Sequence, residues 1–231
     1  TTTIIADPHE IANVAGIAGI RFMMAEAKKA EITVRFMLPS CVPATPFETS
    51  GAMLSSEDLT DLMAKDEVLG LAELMNVPGV LSCDSDILKK VLLARAHRKL
   101  IDGHSPLTAG AALSAYALSA VTSDHECSTE DEVTDRVSRG MTVFMREGSA
   151  GQNVSVLSRS ITEKNSRHFC LCTDDASPDD VLAKGHINHV VRRAVASGVD
   201  AIEALRMATI NTAEHFGLKN KGAIVPGRDA D

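Results

Sequence analysis

The stretch "HFCLCTDDASPDD", residues 168–180, runs from apolar residues directly into two adjacent acids. Its first half has the composition of a buried strand. The alternation across 168–174 puts Phe169, Leu171 and Thr173 on one face and Cys170, Cys172 and Asp174 on the other. The bulky face suits packing against helices. The face with the small cysteines and Asp174 suits the axis of a barrel, with Asp175 leaving the strand at its mouth. Taken alone, Asp174 and Asp175 fit a turn or a helix cap equally well. Their meaning depends on whether other strands end in the same way.

Six further β-like runs do end in polar residues or lead into them. "TTTIIADPHE" closes on Asp7, His9 and Glu10, and "EITVRFMLPSCVPA" follows it. "EVLGLAELMN" carries Glu73, "LIDGHSPL" carries Asp102 and His104, "AVTSDHE" ends in Asp124, His125 and Glu126, and "MTVFMREGS" ends in Arg146 and Glu147. Helix-like stretches lie between them: "GIRFMMAEAKKA", "SSEDLTDLMAKD" with a Ser-plus-acid start, "SDILKKVLLARAHRK", "TAGAALSAYALS" and "TEDEVTDRVSRG". "INHVVRRAVASG" and "DAIEALRMATINTAEHFG" read as closing helices. Strands alternating with helices imply parallel pairing, and so many in succession favour a (β/α)8 barrel over an open sheet. No glycine-rich phosphate loop follows any strand, which weighs against a Rossmann arrangement. Seven strands are one short of closure. The expected fold is therefore α/β, an incomplete (β/α)8 TIM-type barrel with strands 2–8 present and the first missing. The chain starts without Met inside a strand-like run and stops in "GAIVPGRDAD", so it reads as a fragment of a longer protein.

The bulk composition is that of a globular protein, 231 residues with 45% hydrophobic and 23% charged. A net charge of −8 and only 3% aromatics argue against nucleic acid as a partner. No run reaches the roughly 18 apolar residues of a membrane span, so no membrane partner is expected. Five scattered cysteines without a C-x-x-C pair suggest reduced thiols and a cytoplasmic location.

In a parallel barrel the chemistry sits at the C-terminal strand ends. Those ends hold metal-competent groups. His104 and His125 lie on successive strands, Glu73 on the strand before them, and Asp174 on the last, a set suited to a hydrolytic metal site. Each has a plainer reading: core histidines for His104 and His125, a helical surface position for Glu73, and strand-end caps for Asp102 and Asp124. His186 and His189 resemble a ligand pair, yet the apolar residues around them mark a packing helix, and His97, His168 and His215 are read as structural.

The stretches "TTTIIADPHEIANVAG", "FMLPSCVPATPFETSGA", "VLGLAELMNVPGV", "DGHSP", "TSDHE", "MREGSAGQN", "TDD" and "ATINTAEHFGL…KGAIVPGRDAD" resemble the amidohydrolase superfamily, and within it the branch that deaminates adenine. "ADPHEIANV", "LPSCVPATPFET" and "GLAELMN" carry the substrate assignment. The resemblance implies a metal-dependent barrel hydrolase converting adenine and water to hypoxanthine and ammonia. It implies two divalent ions in the full-length protein, with Mn, Fe and Zn all open. Glu73 would bridge the two ions, His104 and His125 would be ligands of one, and Asp174 would be both ligand and proton acceptor. Glu147 becomes a second catalytic candidate, and Asp175, His9 and Arg146 become candidate substrate contacts. By the same resemblance residues 1–218 form the partial barrel, and 219–231 begin the return to a truncated β-sandwich domain. The family's His-x-His pair does not occur near the start of the sequence, so the fragment itself is a candidate for inactivity. A small purine is the expected partner, with homo-oligomers. The alternatives are a different amidohydrolase, acting on a cyclic amide or another heterocycle, and a non-catalytic barrel.

Overall fold

A computed structural model describes residues 1–229. It divides into two compact units, residues 2–122 and residues 123 onward with Thr1. In the first unit β1 (Thr3–Ala6), β2 (Thr33–Leu38), β3 (Val68–Leu74) and β4 (Leu100–Gly103) form one sheet in sequence order. All of its neighbours pair in parallel. The connections contain α1 (His9–Ala27), α2 (Ser56–Met63), α3 (Val77–Leu81) and α4 (Ser85–Ala96), and α5 (Gly110–Leu118) follows the last strand. Parallel neighbours need such crossovers, because a two-residue turn can only reverse the chain.

In the second unit β5 (Ser123–Asp124), β6 (Thr142–Arg146) and β7 (Phe169–Cys172) form a second parallel sheet, again in sequence order. Its helices are α6 (Glu130–Ser138), the short α7 (Val154–Leu157), α8 (Pro178–Lys184), α9 (Ile187–Ala196), α10 (Ala201–Met207) and α11 (Ile210–His215). The seven expected strands are therefore all present among the described residues. Residues 230 and 231, the end of the expected 219–231 segment, lie outside the described residues. Among the described residues no helix is long and apolar enough to cross a membrane.

Local chemistry explains the element boundaries. Ser55 and Thr129 each begin a helix with a capping box, closed by Asp58 and Glu132 respectively. Asp84 and Asp200 accept the first free N–H groups of α4 and α10. The helix expected near residue 19 instead starts at His9, directly after Pro8, and is broken at Gly16, which takes φ 59°. Two segments without a sequence expectation, α3 and α8, each begin with a polar cap and a proline in the first turn.

The second core gathers Phe169 and Leu171 of β7 with Val190 and Ala194 of α9 and Ala204 and Met207 of α10. The bulky face of the opening stretch thus packs on helices, as the alternation required. The strand stops at Cys172, however, so Thr173 and Asp174 belong to the turn beyond it rather than to the strand.

In the first unit the long β2–α2 loop is fixed at several points. Lys90, only 3% exposed, donates to the carbonyls of Ser40 (3.0 Å) and Leu54 (2.7 Å) and pairs with Asp86 at 2.9 Å. At the break in α1, the Gly51 N–H donates to Asn13 O at 2.9 Å, and a Cβ on Gly51 would collide with the Val14 carbonyl. Gly51→Ala is therefore expected to cost about 1–3 kcal/mol as an overpacked contact. Thermal denaturation of the variant should show a midpoint several degrees lower, and an unchanged midpoint would contradict this contact.

Candidate active site

At the C-terminal end of the first sheet, Glu73 lies one residue before the end of β3 and His104 immediately follows β4. The Glu73 Oε2 and His104 Nδ1 atoms are 2.9 Å apart. Their backbones are tied together as well. The fully buried Tyr116 hydroxyl donates to Leu74 O at 2.8 Å and accepts from the His104 N–H at 2.9 Å. Ser40, just past β2, donates from its hydroxyl to the Glu73 carbonyl.

His9, at the first position of α1, faces the same carboxylate. Its Nδ1 lies 3.3 Å from Asp7 and 3.4 Å from Glu73, and Nε2 lies 3.5 Å from Glu10. Burial pushes the Asp7 carboxyl up to about 6. The interaction with Asp7 outweighs the desolvation of the imidazole and holds His9 up to about 9. At neutral pH the unit thus presents an imidazolium among carboxylates. Asp7, His9 and Glu73 also form a group whose donor atoms all lie within 4.8 Å of one another.

The second unit builds its cluster on β5. Asp124 and Arg136 are both fully buried and pair at 2.8 Å, while Asp124 Oδ1 accepts the Glu126 N–H at 3.0 Å. The turn that presents His125 and Glu126 is pinned from below. Asp124 is therefore more than a strand-end cap. Arg146, at the end of β6, grips both Glu126 oxygens at 2.6 and 2.9 Å and also Asp174 Oδ2 at 2.6 Å. Its guanidinium is engaged by two carboxylates. His125 Nε2 stands 3.3 Å from Glu126. His125, Glu126 and Asp174 offer donor atoms within 4.8 Å of one another, a nitrogen and oxygen set that suits a divalent ion of the zinc, iron or manganese kind.

Asp174 occupies the left-handed region at φ 56°, an uncommon conformation outside glycine. Its Oδ1 accepts the Asp175 N–H at 2.6 Å, a local bond that suits this conformation. Opposite, a Cβ on Gly148 would collide with the Thr173 and Asp175 carbonyls, so only glycine lets the β6 and β7 loops approach this closely. Asp175 is exposed, and its carbonyl accepts the Ser149 N–H at 2.7 Å.

Glu147 is 7% exposed. One of its oxygens takes the Arg193 Nε–H at 3.0 Å, and the other, Oε2, is buried without a hydrogen-bond partner among the described residues. Glu147, Ser149, Thr173 and His189 line a small cavity here. His189 thus borders a cavity as well as riding on a packing helix. His215 packs edge-on against Phe144 and Phe216, and His97 bonds the carbonyl of its own helix. Burial pushes the Cys127 thiol up to about 12 and raises Cys172 as well, so both are neutral thiols.

Each unit therefore brings sequence-expected residues together. The first joins Glu73, His104 and His9, and the second joins His125, Asp174 and Arg146. Sequence reasoning did not assign Glu126, Asp7, Tyr116, Arg136 or Arg193 to the site. For Glu126 and Asp7 the signal was adjacency to a candidate histidine. For Tyr116 it was being the chain's one tyrosine on an otherwise small-residue helix.

Two measurements check this geometry. Arg136→Met leaves Asp124 charged and buried and should cost about 3–5 kcal/mol in urea denaturation, with part of the loss recovered when Asp124 is also made apolar. An unchanged stability would contradict the buried pair. In the metal-free chain, the His9 imidazole should titrate by NMR well above 6.5, and in Asp7→Asn its midpoint should fall. Because the folded His9 value is the raised one, its contribution is lost as pH rises through about 9, and the pairing also weakens as pH falls through about 6, where Asp7 takes up a proton. A midpoint unaffected by Asp7→Asn would assign the shift elsewhere.

The amidohydrolase family profile matches residues 1–231. An adenine deaminase of Clostridium acetobutylicum is 50% identical over 231 residues, covering 100% of this chain and 40% of that protein. The chain spans about 40% of the length of such curated relatives. Among solved structures, a dihydroorotase superposes with a TM-score of 0.71 at 12% identity, over 100% of this chain and 65% of that one. An adenine deaminase crystal structure superposes with a TM-score of 0.64 at 14% identity, over 100% and 67%. At such identities the structural likeness shows the fold alone, one of the TIM-barrel type. The chain belongs to the amidohydrolase family.

Proposed function

We infer that this chain carries the catalytic residues of a metal-dependent adenine deaminase, which converts adenine and water to hypoxanthine and ammonia. The observation that supports this most strongly is half identity, along the whole chain, to proteins named adenine deaminase. The expected ligand residues support it further: at the C-terminal strand ends Glu73 lies 2.9 Å from His104, and the donor atoms of His125 and Asp174 lie within 4.8 Å of each other.

Glu73, His104, His125 and Asp174 are the residues proposed to hold divalent ions, two in the complete protein. Such an ion, when bound, supplies the Lewis acidity that makes water ionisable near neutral pH. Asp174 takes the proton from the attacking water. Its left-handed backbone and two hydrogen bonds, from Arg146 and from the Asp175 N–H, fix the carboxylate in one orientation. Arg146 therefore acts on the substrate through Asp174 and Glu126 rather than as a free cation.

Glu147 is the proposed proton carrier to the purine ring. Glu147 lines a small cavity, and its Oε2 has no hydrogen-bond partner among the described residues, which supports this role. Asp175 and His9 are further contacts to the heterocycle. His9 is held protonated by Asp7, which suits it to an acceptor atom of the ring. A cytoplasmic homo-oligomer completes the proposal.

In the full-length protein Asp174→Asn should lower kcat by about 10²–10⁴-fold while the thermal midpoint stays near that of the parent. Near-normal turnover would remove Asp174 as the base. Ammonia release should be seen with adenine and be weak with pyrimidines. Hydrolysis of cyclic amides without adenine turnover would replace this reading by that of another amidohydrolase.

A further inference from the structure

We propose that Tyr116 is a positioning residue for the Glu73–His104 pair, holding the two strand ends in the register that brings their side chains together. This rests on the metal-site reading above and extends it to a residue outside the ligand set.

β3 and β4 change register between Leu71 and Leu74, so the ladder does not by itself fix where the two ends stand. Glu73 falls within that interval, and His104 lies one residue beyond the end of β4. Neither ligand is placed by regular strand pairing alone. The Tyr116 hydroxyl bridges this irregular stretch. It donates to the carbonyl of the residue after Glu73 and accepts from the amide of His104 itself.

The bridge comes from α5, and Tyr116 is 0% exposed on that helix with Leu113 beside it, also at 0%. A ring buried in this way has little freedom, so its hydroxyl is a fixed point. Burial also raises the cost of losing it. Without the hydroxyl, the Leu74 carbonyl and the His104 N–H each lose a partner in a site screened from water. The strand ends then relax until those groups find other partners, and the 2.9 Å approach of Glu73 to His104 relaxes with them. Ligand orientation of this kind is what groups outside the coordination shell contribute to metal sites.

The test is Tyr116→Phe, which keeps the ring and removes one oxygen. Three readouts are taken on the full-length protein: Co²⁺ affinity by titration, the visible spectrum of the Co²⁺-loaded form, and amide exchange at His104. Leu113→Ala serves as the control, since it removes buried volume from the same helix and leaves the Tyr116 hydroxyl in place. The expected result is a Co²⁺ affinity about 10-fold or more weaker in Tyr116→Phe, an altered absorption envelope and faster exchange at His104. Leu113→Ala should lower the thermal midpoint and leave affinity and spectrum near the parent's.

Equal affinity and spectrum in Tyr116→Phe and parent would overturn the positioning role while leaving the metal site standing. The same holds if Leu113→Ala weakens Co²⁺ as much as Tyr116→Phe does, because the effect is then one of stability. Should Tyr116→Phe fail to fold, replacing Tyr116 by 3,5-difluorotyrosine weakens the hydroxyl as an acceptor, and an unchanged His104 exchange rate would overturn the role. A parent protein that binds no Co²⁺ would overturn the metal-site reading and this proposal together.

Discussion

Parallel pairing of each strand with its sequence neighbour sends all the C-terminal ends of a sheet to one edge, and the candidate chemistry depends on that constraint. Residues separated by some 30 positions, such as Glu73 and His104, meet because β3 and β4 run side by side in the same direction. The helices that return the chain also supply the supports. Tyr116 comes from the helix after β4, Arg136 from the helix after β5, and Arg193 from a helix beyond β7. Each reaches back to a strand end or the turn after it, and each fixes a residue whose orientation matters.

Negative charge at the strand ends is met by fixed cations. Acids crowd the strand ends, and like charges in a partly buried site repel. The first unit answers with His9, placed among Asp7, Glu10 and Glu73. The second answers with Arg146, shared between Glu126 and Asp174, and with the buried Asp124–Arg136 pair. In both units the cations lie within ion-pair distance of the acids they serve, so the carboxylates are held in place by direct contacts.

The strand pattern was legible in the sequence because buried parallel strands are short apolar runs, and all seven appear where such runs stand. The packing face of Phe169 and Leu171 followed from period-two alternation alone. Less legible were elements fixed by specific contacts. The break of α1 at Gly16 lies where a loop some 35 residues downstream docks through the Gly51 N–H on Asn13 O. The turn geometry of Asp174 is set by a local backbone bond and by the close approach of Gly148, neither of which a hydrophobic pattern records. The candidate ligands could be picked out as polar residues at strand ends, but their supports could not. Tyr116, Arg136 and Arg193 lie on helices, where an amphipathic reading accounts for them without reference to a site.

Glu73, His104, His125 and Asp174 are the proposed ligands of divalent ions. Anomalous diffraction from crystals of the full-length protein grown with Mn²⁺ tests this assignment most directly. The expected result is anomalous density within coordination distance of these side chains, at roughly 2.0–2.3 Å from the donor atoms. Anomalous density absent from all four, in crystals where Mn²⁺ is bound elsewhere or not at all, would contradict it.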